Sequence, residues 1–276
     1  MSLSAFSPSS LRNRMAGEPL APYLLTALWA LAMISVPILG WTLGEDAVRM
    51  GIVVGVLLQA TASIAALITG WGVRATLRLA ILILPASWLI EYVGSHTGFP
   101  FGAYTYTPAL QPQLFGVPLL IPLAWLMMLP AAWAVAELIV GRSGGLRGVL
   151  RFLLVSAVAF TAWDLFLDPQ MVAWGYWEWS NPVGYFGIPW VNYGGWLLSA
   201  FLLGALVFLT GSPPPPMPVR PLLVIYTVTW LLQAIGLGLF WGMPGPAAVG
   251  FVAMGFFAVA AWRALRIQGR ATVASR

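Results

Sequence analysis

Apolar residues in this chain run in long stretches rather than in the short periodic stripes of water-soluble helices and strands. A helix needs about 20 mostly apolar residues to cross a bilayer. Eight stretches qualify: 20–41, 50–70, 74–93, 117–140, 148–167, 190–210, 219–240 and 243–264. Most connections between them are short, which sets successive helices side by side in a bundle. Two are longer, about 94–116 and 168–189, and both are crowded with Gly, Pro and aromatic residues. The pattern predicts an all-α polytopic membrane bundle of about eight helices. It also predicts a single integral membrane domain over 1–276, with tails at 1–19 and 265–276 and a stiff proline link at 213–216. The first run is read as a retained span, because it is long enough to cross and lacks a convincing small-residue cleavage site.

Composition supports the membrane reading. The chain is 60% hydrophobic and only 8% charged, against roughly 25% charged in soluble domains, and its mean hydropathy is +0.88. Cysteine is absent and His96 is the single histidine. That excludes a disulfide framework, thiolate metal sites and multi-histidine clusters. All 13 cationic side chains are arginines, set against 8 acids. In a soluble protein this balance would suggest nucleic acid. Here the arginines sort by side: with both termini inside, Arg12, Arg14, Arg74, Arg78, Arg142, Arg147, Arg151, Arg220, Arg263, Arg266, Arg270 and Arg276 all lie inside, and only Arg49 lies outside. The expected location is therefore the inner (plasma) membrane, with cytoplasmic termini, outward-facing long loops and no nucleic-acid partner.

A shift of 73 residues superposes Arg74-x-x-Leu77-Arg78 on Arg147-x-x-Leu150-Arg151. Without a gap, Glu91 then falls on Asp164, Gly102 on Gly175, Tyr104 on Trp177 and Tyr106 on Trp179. A two-residue deletion brings Phe115-Gly116-Val117-Pro118 onto Phe186-Gly187-Ile188-Pro189. This predicts a parallel internal repeat, 74–140 and 147–210, related by an axis along the membrane normal. Glu91 and Asp164 would occupy equivalent positions. Asp168 follows Asp164 by one helical turn and shares its face, and Pro169 is expected to stop the helix.

Ionisable groups inside spans are costly and mark function by default. Glu18 reads as a tail residue, Glu137 as the partner of Arg142 at an inner helix end, and Glu178 as a residue of the aqueous rim. Glu91, Asp164 and Asp168 have no arginine on their side except distant Arg49. Two readings stay open for them: structural anchoring of the loops, or acid–base chemistry in which one carboxyl of a close group stays protonated. His96 reads equally as a relay or a scaffold residue. The aromatics beside the acids read as an interfacial belt or as the lining of a site. Asp164-x-x-x-Asp168 invites comparison with magnesium–diphosphate motifs, but the cations that meet a diphosphate are missing on that side. No dinucleotide or phosphate fingerprint occurs in a strand-to-helix context. What remains is acid–base chemistry on a lipid-soluble molecule, with no metal and no cofactor.

The run from Glu91 through Gly94, Ser95, His96, Gly98, Pro100, Phe101, Gly102, Tyr104 and Tyr106 is the most specific stretch. Gly116-Val117-Pro118, Asp164-x-x-x-Asp168-Pro169, Trp177-Glu178-Trp179 and Tyr185-Phe186-Gly187-Ile188-Pro189-x-x-Asn192-x-x-Gly195-Trp196 follow in order. Over about residues 85–200 the chain resembles the membrane carotenoid biosynthesis proteins of the CruF type, the carotenoid 1,2-hydratases. The resemblance implies addition of water across the terminal C1=C2 double bond of an acyclic carotenoid end, giving a tertiary alcohol. Its implied partners are a lipid-soluble carotenoid, membrane lipid and other membrane enzymes of the same pathway. The residue roles come from the residues themselves: Glu91 as proton donor, with Asp164 and Asp168 orienting water. The expected substrate-binding set is His96, Phe101, Tyr104, Tyr106, Trp163, Trp174, Trp177, Trp179 and Asn192. The alternatives are a lycopene-type cyclase that starts with the same protonation, and a carotenoid- or lipid-binding membrane protein without catalysis.

Overall fold

The computed structural model describes residues 19–143, 145–210 and 217–274; Arg12, Arg14, Glu18, Arg276 and the prolines 213–216 lie outside them. The eight expected spans appear as α1 (Ala21–Leu43), α2 (Glu45–Trp71), α3 (Val73–Thr97), α4 (Leu120–Val140), α5 (Gly145–Ala173), α6 (Trp190–Leu209), α7 (Val219–Ile235) and α8 (Pro244–Ala274). A π-helical turn, Gly236–Phe240, extends α7, and together they make the seventh segment long and apolar enough to cross a membrane. Leu24, Leu31, Ile81, Leu202 and Val252 are among many large apolar side chains left exposed on the outer helices. Such surface is stable facing lipid, not water.

Helix α4 forms the centre, with Met128, Leu129, Ala131, Ala132, Ala134, Val135 and Ala136 fully buried. Its small residues let α2, α3, α5, α7 and α8 pack against it closely. At the arginine-rich end, Glu137 and Arg142 form the expected ion pair at 2.6 Å.

At the opposite end the two long loops meet. Strand β1 (Tyr104–Tyr106) pairs antiparallel with β4 (Trp177–Trp179), in the register Tyr104↔Trp179 and Tyr106↔Trp177. Strands β2 (Gln113–Leu114) and β3 (Val117–Pro118) form a small hairpin in the first loop. The repeat makes Tyr104 equivalent to Trp177 and Tyr106 to Trp179. Each therefore pairs with the partner's equivalent, the reciprocal contact that a two-fold axis imposes. The turns obey the same relation. Phe115 and Phe186 both have φ 49, followed by Gly116 at φ 79 and Gly187 at φ 85. Each pair occupies the centre of a tight turn, closed by Leu114↔Val117 in one case and Tyr185↔Ile188 in the other. Positive φ at both central residues defines the hairpin turn. Adopting it at a phenylalanine, twice, is unusual enough to mark the two loops as structural copies.

One expectation fails. Pro169 does not end its helix, because α5 continues to Ala173 with Pro169 inside. Proline removes the N–H that would bond the carbonyl four residues back. Here that carbonyl, on Leu165, accepts a hydrogen bond from the Tyr185 hydroxyl at 3.1 Å. A side chain from the second loop thus stands in for the lost N–H, as membrane helices with internal proline require.

Candidate active site

On α5, Asp168 follows Asp164 by one turn, and both are buried beneath the paired loops. Asp164 is 0% exposed, Asp168 2% and Glu91 3%. Asn192, in the first turn of α6, bridges the two aspartates: its Nδ2 donates to Asp164 Oδ2 at 3.0 Å and also to Asp168 Oδ2. Trp177 Nε1 donates to Asp168 Oδ1 at 2.6 Å. Asp164 Oδ1 has no hydrogen-bond partner among the described residues.

Glu91 is held differently. Its Oε2 accepts from the hydroxyls of Tyr104 at 2.7 Å and Tyr106 at 2.8 Å, and its Oε1 accepts from Trp125 Nε1 at 2.9 Å. Three donors converge on one carboxyl group, the complement that an acceptor-only carboxylate takes. Burial, and then the charge of Glu91, hold both tyrosines well above the usual phenol range, so they remain un-ionised donors.

Trp125 and Trp196, equivalent in the repeat, stack on each other with centroids 4.9 Å apart and planes at 17°. Phe160 stacks against Trp125 at 4.7 Å. Tyr104 leans on Trp179 at 5.1 Å, and Tyr106 meets Trp177 edge-on at 5.8 Å. All of these rings except Phe160 line a chamber of about 30 Å³ together with Glu91 and Asp168. A water molecule needs ~10–15 Å³ of such space, so the chamber has room for water beside the two acids.

A second cavity of about 550 Å³ lies between α1, α2, α4, α5 and α7, within the roughly 300–1,000 Å³ of small-molecule sites. Its walls are mainly apolar, and its outer end is capped where Trp174 meets Trp241 edge-on at 5.0 Å. Ile121, Ala124, Leu167 and Trp177 line both cavities, so a shared wall separates the large apolar cavity from the acid chamber.

Most of the expected residues converge here. Phe101, Tyr104, Tyr106, Trp177, Trp179 and Asn192 line the chamber with Glu91 and Asp168, while Trp163 and Trp174 line the apolar cavity. Asp164 sits behind Asn192 and lines neither cavity. His96 is not part of the site. It is exposed, rests on Tyr92 with ring centroids 4.2 Å apart, and its Nδ1 meets the Tyr92 carbonyl oxygen at 2.8 Å. Four residues past Tyr92 on α3, it shares that residue's outward side of the helix. Glu178 faces outward between two buried tryptophans. Trp125, Trp196, Ile121, Ala124 and Leu167 went unnoticed in the sequence, where they are a few more apolar residues in apolar helices. The repeat held a usable signal, because beyond the two-residue deletion it superposes Trp125 on Trp196.

Comparison with known proteins fits this arrangement. A family model described as carotenoid biosynthesis protein matches residues 50–257. A 127-residue segment is 39% identical to the bisanhydrobacterioruberin hydratase of Haloarcula japonica, covering 46% of this chain and 42% of that protein. The chain thus matches less than half the length of that relative. No solved structure matches. From residue 50 to 257, across the chamber and most of the apolar cavity, the chain is a member of the carotenoid biosynthesis protein family.

Proposed function

We propose that the protein is a carotenoid 1,2-hydratase, adding water to the terminal C1=C2 double bond of an acyclic carotenoid end without a cofactor. The observation that carries this reading is the shared wall: an apolar cavity fit for a polyene adjoins a water-sized chamber lined by two buried acids and tryptophan faces. In this scheme the chain of the substrate lies in the large cavity and its end reaches the chamber between Ala124 and Leu167. The Asp164–Asp168 pair, tied by one Asn192 amide, holds a single proton, and Asp168 delivers it to C2. The cation at C1 faces Trp125, Trp177 and Trp196, where a desolvated ring contributes roughly 2 kcal/mol. Glu91, fixed by its three donors, orients the water and takes its proton as oxygen bonds to C1. Return of that proton to the aspartate pair restores the resting state, so the net change is H at C2 and OH at C1. This division reverses the donor role expected for Glu91 from its apolar neighbours, because three donors and no acceptor meet its oxygens.

We further propose that the chain is one membrane domain in the inner membrane, with cytoplasmic termini, and that it works beside other membrane enzymes of its pathway. A cyclase would begin with the same protonation but exclude water, and the polar groups of the chamber favour hydration. A binding protein would need no clustered acids. The test is expression in a host that makes lycopene, followed by mass analysis of the pigment. Hydration adds the mass of one water per reacted end, and cyclisation leaves the mass unchanged.

A further inference from the structure

The sequence repeat relates α3 to α5 and α4 to α6, so it makes two seams around the chamber equivalent, one between α4 and α5 and one between α6 and α3. Most of the lining obeys this symmetry: Tyr104 and Trp177, Tyr106 and Trp179, Ile121 and Asn192, and Trp125 and Trp196 are equivalent pairs that all face the chamber. The seams themselves break it. At α4–α5, Ala124 and Leu167 line the chamber and the large apolar cavity together. Their equivalents at α6–α3 are Gly195 and Gly94, and neither lines the chamber.

Phe101 accounts for the difference. Its ring is buried, 2% exposed, and fills the space over both glycines. A Cβ added at Gly94 would stand 2.6 Å from Phe101 Cδ2, and one at Gly195 would stand 2.7 Å from Phe101 Cδ1 and 2.8 Å from the Pro100 carbonyl oxygen. The two glycines are what allow a phenyl ring to occupy the seam. The repeat equivalent of Phe101 is Trp174, which sits against Trp241 and lines the large cavity but not the chamber, so it does not fill the α4–α5 seam as Phe101 fills its own. Two equivalent aromatic side chains thus take different positions, one plugging its seam and one lining the large cavity.

We propose that Phe101 makes the chamber one-sided: it seals the α3–α6 seam against lipid, so that a chain enters only between α4 and α5. The inference rests on the reading above for the nature of that chain, a hydrocarbon polyene, but not for the existence of the seams. A chamber open on both sides would admit lipid acyl chains directly from the bilayer, since Val191 and Leu198 on α6 and Leu89 on α3 are exposed. With the plug in place, access passes through the cavity enclosed by α1, α2 and α7.

The test is photolabelling of the protein in membranes with a small lipid-soluble aryl diazirine, with adducts located by peptide mass spectrometry. In the wild-type protein adducts are expected on Ile121, Ala124 and Leu167, and not on Gly94 or Gly195. Phe101→Ala should gain adducts at Gly94 and Gly195 while keeping those at the α4–α5 seam, which also reports that the variant is folded. Phe101→Tyr, which restores a ring, should return the wild-type map. Labelling of Gly94 or Gly195 in the wild-type protein overturns the proposal without any variant, and so does an unchanged map in folded Phe101→Ala. Carotenoid in the membranes should suppress the adducts at the α4–α5 seam. Asymmetric labelling without that suppression would support the one-sided chamber and refute the carotenoid reading, so the two ideas fail separately.

Discussion

Replacing Tyr104 and Tyr106 by phenylalanine tests whether the Glu91 network performs chemistry or merely ties down the first loop. Both hydroxyls donate to the same oxygen, Glu91 Oε2, at 2.7 and 2.8 Å. Phenylalanine keeps the ring contacts, including those of Tyr104 with Phe101 at 6.1 Å and with Trp179 at 5.1 Å, and removes only the donor. A hydrogen bond to a charged group contributes about 1.5–3 kcal/mol. With about 1.4 kcal/mol per factor of ten in rate, each single variant should lose roughly 10- to 100-fold in turnover. The double variant leaves a buried carboxylate oxygen without a partner, and it should lose more than the two single effects combined. The assay is the initial rate of hydrated product in membranes, divided by the amount of folded protein from size-exclusion chromatography. His96→Ala, at a surface position, serves as the control and should run at the wild-type rate. A double variant with wild-type turnover per folded molecule would refute a role for the network in the reaction. A loss matched wholly by loss of folded protein would assign these hydroxyls to loop anchoring.

Tyr185→Phe should destabilise the protein by about 1–3 kcal/mol, the cost of an unpaired buried polar group, because the Leu165 carbonyl loses its donor; Pro169→Ala in the same chain supplies an N–H and should recover most of the loss in thermal unfolding. Asp168→Asn should abolish turnover while leaving membrane levels and bound carotenoid unchanged, and wild-type turnover in that variant would remove Asp168 from the mechanism. Because Tyr104 and Tyr106 are held above the ordinary tyrosine value of 10, their neutral forms persist as pH rises; turnover should show no tyrosine-type loss centred near that value, and such a loss in folded protein would contradict their role as fixed donors. An alkaline phosphatase fusion in the loop between α5 and α6 should be active in bacteria, and an inactive fusion would place the chamber on the cytoplasmic side.

The spans were legible because each apolar run is bounded by arginines or by Gly- and Pro-rich loops. The acids were legible because a carboxyl inside a span has no cheap structural explanation. The repeat aligned Phe115-Gly116 with Phe186-Gly187, which take matching backbone conformations, but the β1–β4 pairing was not read from it, because strand pairing between two loops is made by tertiary folding. The course of α5 through Pro169 could not be read, because the compensating donor is Tyr185, brought from the second loop by tertiary folding. Trp125 was hidden for a related reason: on a helix that is apolar all round, nothing local tells which tryptophan turns its N–H toward an acid. The large cavity lies among α1, α2, α4, α5 and α7, and its shape is a matter of packing that leaves no polar signature in the chain.

The central claim is that water trapped beside two buried carboxyls adds to a carotenoid end, and isotope labelling tests it most directly. Purified protein in proteoliposomes would be given an acyclic carotenoid in oxygen-18 water, without oxygen gas or added cofactor. The account predicts product carrying one oxygen-18 per hydrated end, formed by the wild-type protein and lost in Asp168→Asn and Glu91→Gln. An oxygen drawn from molecular oxygen, or labelled product still formed at the wild-type rate when both carboxyls are replaced, would contradict it.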